Sequence, residues 1–194
     1  VGDVMFDAVL AFSSLAERKS NILGNLDILP QEYILTTVHR PENTDSPKRL
    51  KDILSALSKT PYPIIFPLHP RTKNKIKSYN INIDDRIIII DPVGYLDMLI
   101  LEKNAYKIVT DSGGMQKEAY FFGIPCITLR DETEWNELEK IGANQIVGSK
   151  MDLIINAMNS KNNQINKIDL YGNGDAAKKI ANSLDIWGNQ NSII

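Results

Sequence analysis

Lys107-Ile-Val-Thr-Asp-Ser-Gly-Gly-Met-Gln-Lys-Glu-Ala-Tyr-Phe-Phe-Gly-Ile-Pro125 is the stretch whose reading decides the fold. Ile108 and Val109 end an apolar strand, Ser112, Gly113 and Gly114 form a side-chain-poor turn, and Met115 to Phe122 has the composition of a short helix. A strand, a glycine turn and a helix N-terminus in succession let an anion approach the backbone. The first N–H groups of the helix lack intrahelical partners and point at that anion with the positive end of the dipole. Ser-Gly-Gly also makes ordinary tight turns, so the turn alone leaves phosphate binding and a structural role equally open. Glu118, about one helical turn further on, is suited to accept hydrogen bonds from sugar hydroxyls. Together the two features point to a sugar nucleotide.

Outward from this stretch the same unit repeats. Tyr33 to Val38, Pro63 to Leu68 and Arg86 to Asp91 read as strands, each followed by a polar or proline-marked loop and a helix. Ser46 before Pro47 is a helix start, and the helix runs through Leu50, Ile53, Leu54 and Leu57. Lys73 to Tyr79 reads as a short basic helix, and Leu96 to Leu101 as part of another. Four consecutive isoleucines, Ile87 to Ile90, predict a strand covered on both faces. Beyond Pro125 come a strand at Cys126 to Leu129, a loop at Arg130 to Trp135, a helix to Ile141, a strand at Gln145 to Val147 and a helix at Met151 to Met158. Strands alternating with helices at this spacing predict an α/β fold, a doubly wound parallel (Rossmann-like) sheet whose ligands bind at the carboxyl ends of the strands.

At the ends of the chain, residues 1–30 read as a crossover and first helix, with a helix from Val4 to Ser20 and a loop bracketed by Gly24 and Pro30. Residues 160–167 read as a polar loop or an extended lid. Residues 170–186 read as the turn Tyr171-Gly172-Asn173-Gly174-Asp175 and a terminal helix, with a frayed end from Gly188. One domain over residues 1–194 is expected. The opening Val1-Gly2-Asp3 leads into what reads as a helix interior, which suggests a piece of something longer.

Composition narrows the partners. A formal net charge of -2 gives no electrostatic footprint for nucleic acid or an acidic membrane surface. No stretch approaches the roughly 20 apolar residues of a membrane span, and a cytoplasmic location is expected. Cys126 is the single cysteine and reads as a buried strand residue. Two histidines and one cysteine provide no ligand cluster at metal-site spacing, so no metal is expected.

Two loops are dense in chemistry. His39-Arg40-Pro41-Glu42-Asn43 combines an imidazole, a guanidinium, a carboxylate and an amide, and His69 follows the next strand; both histidines also suit loop bracing. In the second loop the acids Asp131, Glu132 and Glu137 read as dipole partners of the following helix. Thr133 and Glu134 face the glycine turn, and Trp135 reads either as a nucleobase or sugar platform or as the edge of the core.

Taken together, His39-Arg-Pro-Glu-Asn, Asp111-Ser-Gly-Gly-Met-Gln-Lys-Glu-Ala, Leu129-Arg-Asp-Glu-Thr-Glu and Tyr171-Gly-Asn-Gly closely resemble the non-hydrolysing UDP-N-acetylglucosamine 2-epimerases, in order along nearly the whole chain. The resemblance implies the C-terminal half of a GT-B architecture, with the N-terminal domain absent and a homodimeric full-length protein. It implies an isomerase acting in cell-surface polysaccharide biosynthesis: UDP leaves C1 of UDP-GlcNAc as the C2 proton is removed, and UDP adds back after reprotonation on the other face to give UDP-ManNAc. No metal or redox cofactor is implied. The matching positions put Ser112, Gly113 and Gly114 on the diphosphate, Glu118 on the ribose hydroxyls, Met98 near the base, and His39 near the diphosphate or leaving group as the catalytic candidate. Arg40, Glu42, His69, Arg130, Glu134 and Trp135 are candidate sugar or activator contacts. The chain departs from the pattern at Trp135, where well-known members carry arginine, and at His69-Pro70-Arg71-Thr72, where activated members carry His-x-Asn-Pro. The tryptophan points to a related UDP-2-acetamido sugar such as a UDP-diacetamido-uronic acid. The fragment alone is expected to bind UDP weakly and to be inactive. The donor half of a GT-B glycosyltransferase and a non-catalytic nucleotide-sugar binding module are the alternatives.

Overall fold

A computed structural model describes residues 1–161 and 169–191. Six parallel strands, β1 (Ile34–Thr37), β2 (Ile64–Pro67), β3 (Ile87–Ile90), β4 (Lys107–Thr110), β5 (Cys126–Thr128) and β6 (Asn144–Ile146), form one sheet in the order β3-β2-β1-β4-β5-β6. The chain builds outward from β1 to one edge, then returns to β4 and builds to the other. The strand order therefore reverses between β1 and β4, and a crevice opens at their carboxyl ends.

Side chains alternate across the sheet with a period of two. Ile34, Ile64, Phe66, Val109 and Ile127 face one layer, packed with Leu50, Ile53 and Leu57 of α4 (Pro47–Leu57) and Ile154 and Met158 of α9 (Met151–Asn159). Tyr33, Leu35, Ile65, Ile108 and Cys126 face the other, packed with Leu101 of α6 (Tyr95–Lys103) and Met115 and Ala119 of α7 (Gly113–Phe122). Burial pushes the Cys126 thiol up to about 12, which leaves it a core residue rather than a nucleophile.

The helix signals act through their expected chemistry. Ser46 accepts from the N–H of Arg49 with Pro47 in the first turn. Asp3 caps α1 (Val4–Lys19) through the N–H of Met5, and Asp7, one turn along, accepts from Ala176 and Ala177 at the start of α10 (Ala176–Asn191). Lys107 Nζ donates to the carbonyls of Ala157, Met158 and Ser160, closing the C-terminal end of α9.

Four expectations are corrected. The strand at Ile87 to Ile90 is an edge strand and is not covered on both faces: Ile89 is 43% exposed and Ile88 37%, and β3 has a neighbour on one side only. The loop after β1 contains a helical turn, α3 (Pro41–Thr44), started by the proline, and the segment between Gly24 and Pro30 begins within another, α2 (Ile22–Asn25). The terminal helix does not fray at Gly188 but continues to Asn191. The expected loop or lid at 160–167 and residues 192–194 fall mostly outside the described residues. No helix among the described residues is long and apolar enough to cross a membrane.

Candidate nucleotide site at the β1 and β4 strand ends

The crevice is organised by Asp111, the residue that follows β4. Its carboxylate is fully buried and accepts from the N–H of His39 at 3.0 Å, the N–H of Arg40 at 2.9 Å and Asn43 Nδ2 at 3.1 Å. These donors come from the loop after β1 and the following helical turn, so one carboxylate ties the two strand ends that flank the reversal. Asn43 extends the tie to β5 by donating to the carbonyl of Leu129 at 2.8 Å. A buried carboxylate is tolerable where donors surround it in this way.

Next to Asp111, Ser112 caps α7 by accepting from the N–H of Met115, and its own N–H donates to Thr110 Oγ1 at 2.9 Å. Gly113 and Gly114 are the first two residues of the helix, so their N–H groups have no intrahelical partner. A Cβ on Gly113 would stand 3.4 Å from Trp135 Nε1, 3.6 Å from Arg40 Nη2 and 3.7 Å from Glu134 Oε2. The glycine is thus the point where the loops after β1 and β5 meet the turn after β4. A positive guanidinium and two free N–H groups beside one concave turn suit an anion with several oxygens.

The His39 imidazole lies 3.5 Å from Asp111, through Nδ1, and its ring centroid is 5.6 Å from that of His69. Burial pushes its pKa below the ordinary histidine value, more than the Asp111 charge pulls it up. The shift favours the neutral imidazole at pH 7. His69 accepts from the N–H of Arg71 and caps α5 (Pro70–Ser78), while Arg71 pairs with Asp45 at 2.6 Å. His69 thus braces the start of α5.

Arg130 is buried and pairs with Glu134 at 2.5 Å and Glu42 at 3.3 Å, joining the same two loops. The Arg130 hydrogen bond holds the Glu134 carboxyl below its usual value. Trp135 donates Nε1–H to the Gly113 carbonyl at 2.8 Å and packs at the edge of the cluster formed by Tyr120, Leu138 and Ala143.

Glu118 lies on α7 and Met98 on α6, two helices packed on the same face of the sheet. Burial pushes the Glu118 carboxyl up, opposed by the Tyr95 hydroxyl at 3.4 Å and by the Lys117 charge. Met98 packs against the same core layer as Leu101 and Met115. Asp111 was missed as the site-organising residue, and Asn43 was read only as one polar member of its loop. An acid directly between an apolar strand and a Ser-Gly-Gly turn was the available signal for Asp111. Among the described residues no group of three or more His, Cys, Asp or Glu side chains stands where it could hold a metal.

A relative from Methanococcus maripaludis, described as a UDP-N-acetylglucosamine 2-epimerase homolog, is 46% identical over 191 residues, which is 95% of this chain and 53% of the relative. The UDP-2,3-diacetamido-2,3-dideoxy-D-glucuronate 2-epimerase of Pseudomonas aeruginosa is 43% identical over 95% of this chain and 51% of its own length. The crystal structure of Methanocaldococcus jannaschii UDP-GlcNAc 2-epimerase in complex with UDP-GlcNAc and UDP aligns with a TM-score of 0.86 at 39% identity, covering 96% of this chain and 54% of that one. The chain spans about half the length of the curated relatives it matches. A family model described as UDP-N-acetylglucosamine 2-epimerase matches residues 1–185. With the motifs in order and the match spanning nearly all of its sequence, the chain belongs to the UDP-N-acetylglucosamine 2-epimerase family.

Proposed function

We propose that this chain is the UDP-binding, C-terminal half of an epimerase that interconverts UDP-GlcNAc and UDP-ManNAc, or a closely related pair of UDP-2-acetamido sugars. The observation that carries the reading is the turn at Gly113 and Gly114. Its two unpartnered N–H groups, the Arg40 guanidinium and the neutral His39 imidazole all border the crevice where the strand order reverses. A diphosphate seated there accepts from the turn, and its charge favours the imidazolium form of His39. Glu118, further along α7, accepts from the ribose hydroxyls, and Met98 lies near the base. Arg40, Glu42, Arg130 and Glu134 border the sugar side, and His69 stands beside His39 as a sugar or activator contact.

In the reaction the C2 proton leaves to a base as the C1–O bond to UDP breaks, giving a glycal and UDP. Reprotonation at the opposite face of C2 and re-addition of UDP at C1 complete the inversion. The role of this half is to hold the departing UDP, whose negative charge develops against the helix N-terminus. The acid and base at C2 come from the other half, so this chain alone binds UDP without turnover. The full protein works in the cytoplasm as a homodimer, supplying an activated sugar for cell-surface polysaccharide.

Calorimetric titration with UDP, UMP and uridine tests the reading. UDP is expected to bind more tightly than UMP, and UMP more tightly than uridine. Gly113→Val, whose methyls displace Arg40 and Trp135 from the turn, is expected to weaken UDP at least about 10-fold, the equivalent of one charge-assisted hydrogen bond, while circular dichroism stays native. Equal binding of all three ligands, or normal UDP binding by Gly113→Val, sinks the diphosphate assignment.

A further inference from the structure

Lys117 is almost completely buried, yet it carries a charge that nucleotide binding as described above does not use. It lies on α7, about one turn beyond Gly113. Its ammonium pairs with Asp3 at 2.6 Å and stands 4.2 Å from the centroid of the Trp135 ring. At the edge of that ring system, Nε1–H donates to the Gly113 carbonyl at 2.8 Å. Asp3 is itself held twice, through the N–H of Met5 at 2.7 Å and by donating its own N–H to the Tyr171 carbonyl at 2.9 Å. The Tyr171 ring is 5.9 Å from the same ammonium, and its hydroxyl bonds to Glu137 at 2.6 Å.

We infer that Lys117 is a positioning residue: by holding the Trp135 indole against the Gly113 carbonyl it aims the first peptide of the turn at the ligand, and it couples binding there to the docking of Asp3 and Tyr171. The physical step is the planarity of the peptide. In a trans peptide the carbonyl of Gly113 and the N–H of Gly114 point in opposite directions, so whatever fixes the carbonyl also fixes the aim of the N–H. Because α7 starts at Gly113, that carbonyl already lies along the helix, and the indole adds a second bond to it from the loop after β5. The indole is kept in place by a cation over its face, an attraction strengthened where water is excluded. Because Lys117 is balanced by Asp3, any shift of the indole is felt at the N-terminal end of α1, and by linkage a ligand that tightens the turn tightens that contact too. This coupling rests on the assignment of the turn to a diphosphate.

The test uses the intact chain and two variants, each followed by calorimetry with UDP and uridine and by amide hydrogen exchange resolved to single residues. In the unaltered chain UDP is expected to slow exchange at the Asp3 N–H, and in Lys117→Met that protection disappears while the chain stays folded. Trp135→Phe keeps a ring and loses the donor; it is expected to bind UDP about 10-fold more weakly, the loss of one hydrogen bond to the turn, with uridine affinity unchanged. Undiminished protection of Asp3 in Lys117→Met overturns the coupling. Equal weakening of UDP and uridine in Trp135→Phe reduces the indole to a structural part. If UDP fails to bind the unaltered chain, the nucleotide assignment falls. The positioning role is then judged without ligand at the Gly114 N–H: faster exchange in Trp135→Phe supports it, and an unchanged rate removes it.

Discussion

Asp111 and Glu102 are both carboxyl groups taken out of water, and their surroundings are opposite. Asp111, at the end of β4, is met by two backbone N–H groups and the Asn43 amide. Glu102, on α6, is 1% exposed, and neither of its oxygens has a hydrogen-bond partner among the described residues. Burial, together with the charge of Glu118, pushes the Glu102 carboxyl well above its ordinary value, which favours the protonated form in the folded chain. The contrast separates two uses of a buried acid. Asp111 gathers donors from two loops and so shapes the crevice, whereas Glu102 occupies a core position at a cost that nothing beside it offsets.

That contrast can be broken by experiment, beginning where the effect is largest. Asp111→Ala leaves the N–H groups of His39 and Arg40 and the Asn43 amide without their acceptor. It is expected to destabilise the fold by about 3–5 kcal/mol in urea denaturation, as when a buried charged partner is removed. A loss below about 1 kcal/mol would mean that water replaces the carboxylate.

Glu102→Leu should act in the other direction. Because the folded-state value is raised, the contribution of Glu102 to stability is fully present only below the ordinary glutamate value of 4.5. That contribution is lost as pH rises towards the folded value, since only the unfolded chain releases the proton in that window. The leucine variant is therefore expected to be more stable by about 2 kcal/mol at pH 7.5. Its advantage should shrink at pH 4. An advantage of the same size at both pH values contradicts the protonated acid.

The finest adjustment is Asn43→Ala, which removes one of the donors on Asp111 and leaves the backbone N–H groups of His39 and Arg40 in place. A loss of about 1 kcal/mol is expected, typical of one buried hydrogen bond. A loss as large as that of Asp111→Ala would shift the organising role from the carboxylate to the amide.

Much of the fold was legible in the sequence. The Ser46-Pro47 start, the strand, glycine turn and helix around Ser112 to Gly114 and the strand after Tyr33 act over a few residues, where local geometry decides. The candidate site was legible as four motifs at strand ends, but not as one hub. Asp111 reads in sequence as part of the turn, and its acceptor role depends on β1 lying beside β4. Four isoleucines in a row read alike for a central and an edge strand, which is why β3 was taken as covered. Glu102 is adjacent to Lys103, which bonds at the surface to Glu17. One residue along a helix turns the side chain by about 100°, and here that rotation points Glu102 into the core.

By itself, the sequence determined the succession of strands and helices, the caps, and the glycine turn with its two orphaned N–H groups. Those features follow from backbone sterics and hydrogen bonding between near neighbours. Only the tertiary structure decided that β1 and β4 stand side by side, that Asp111 binds their loops together, that Trp135 grips the Gly113 carbonyl, and that β3 lies at an edge. These depend on strand order and on contacts between residues far apart in the chain, where many arrangements share one local pattern and packing selects among them.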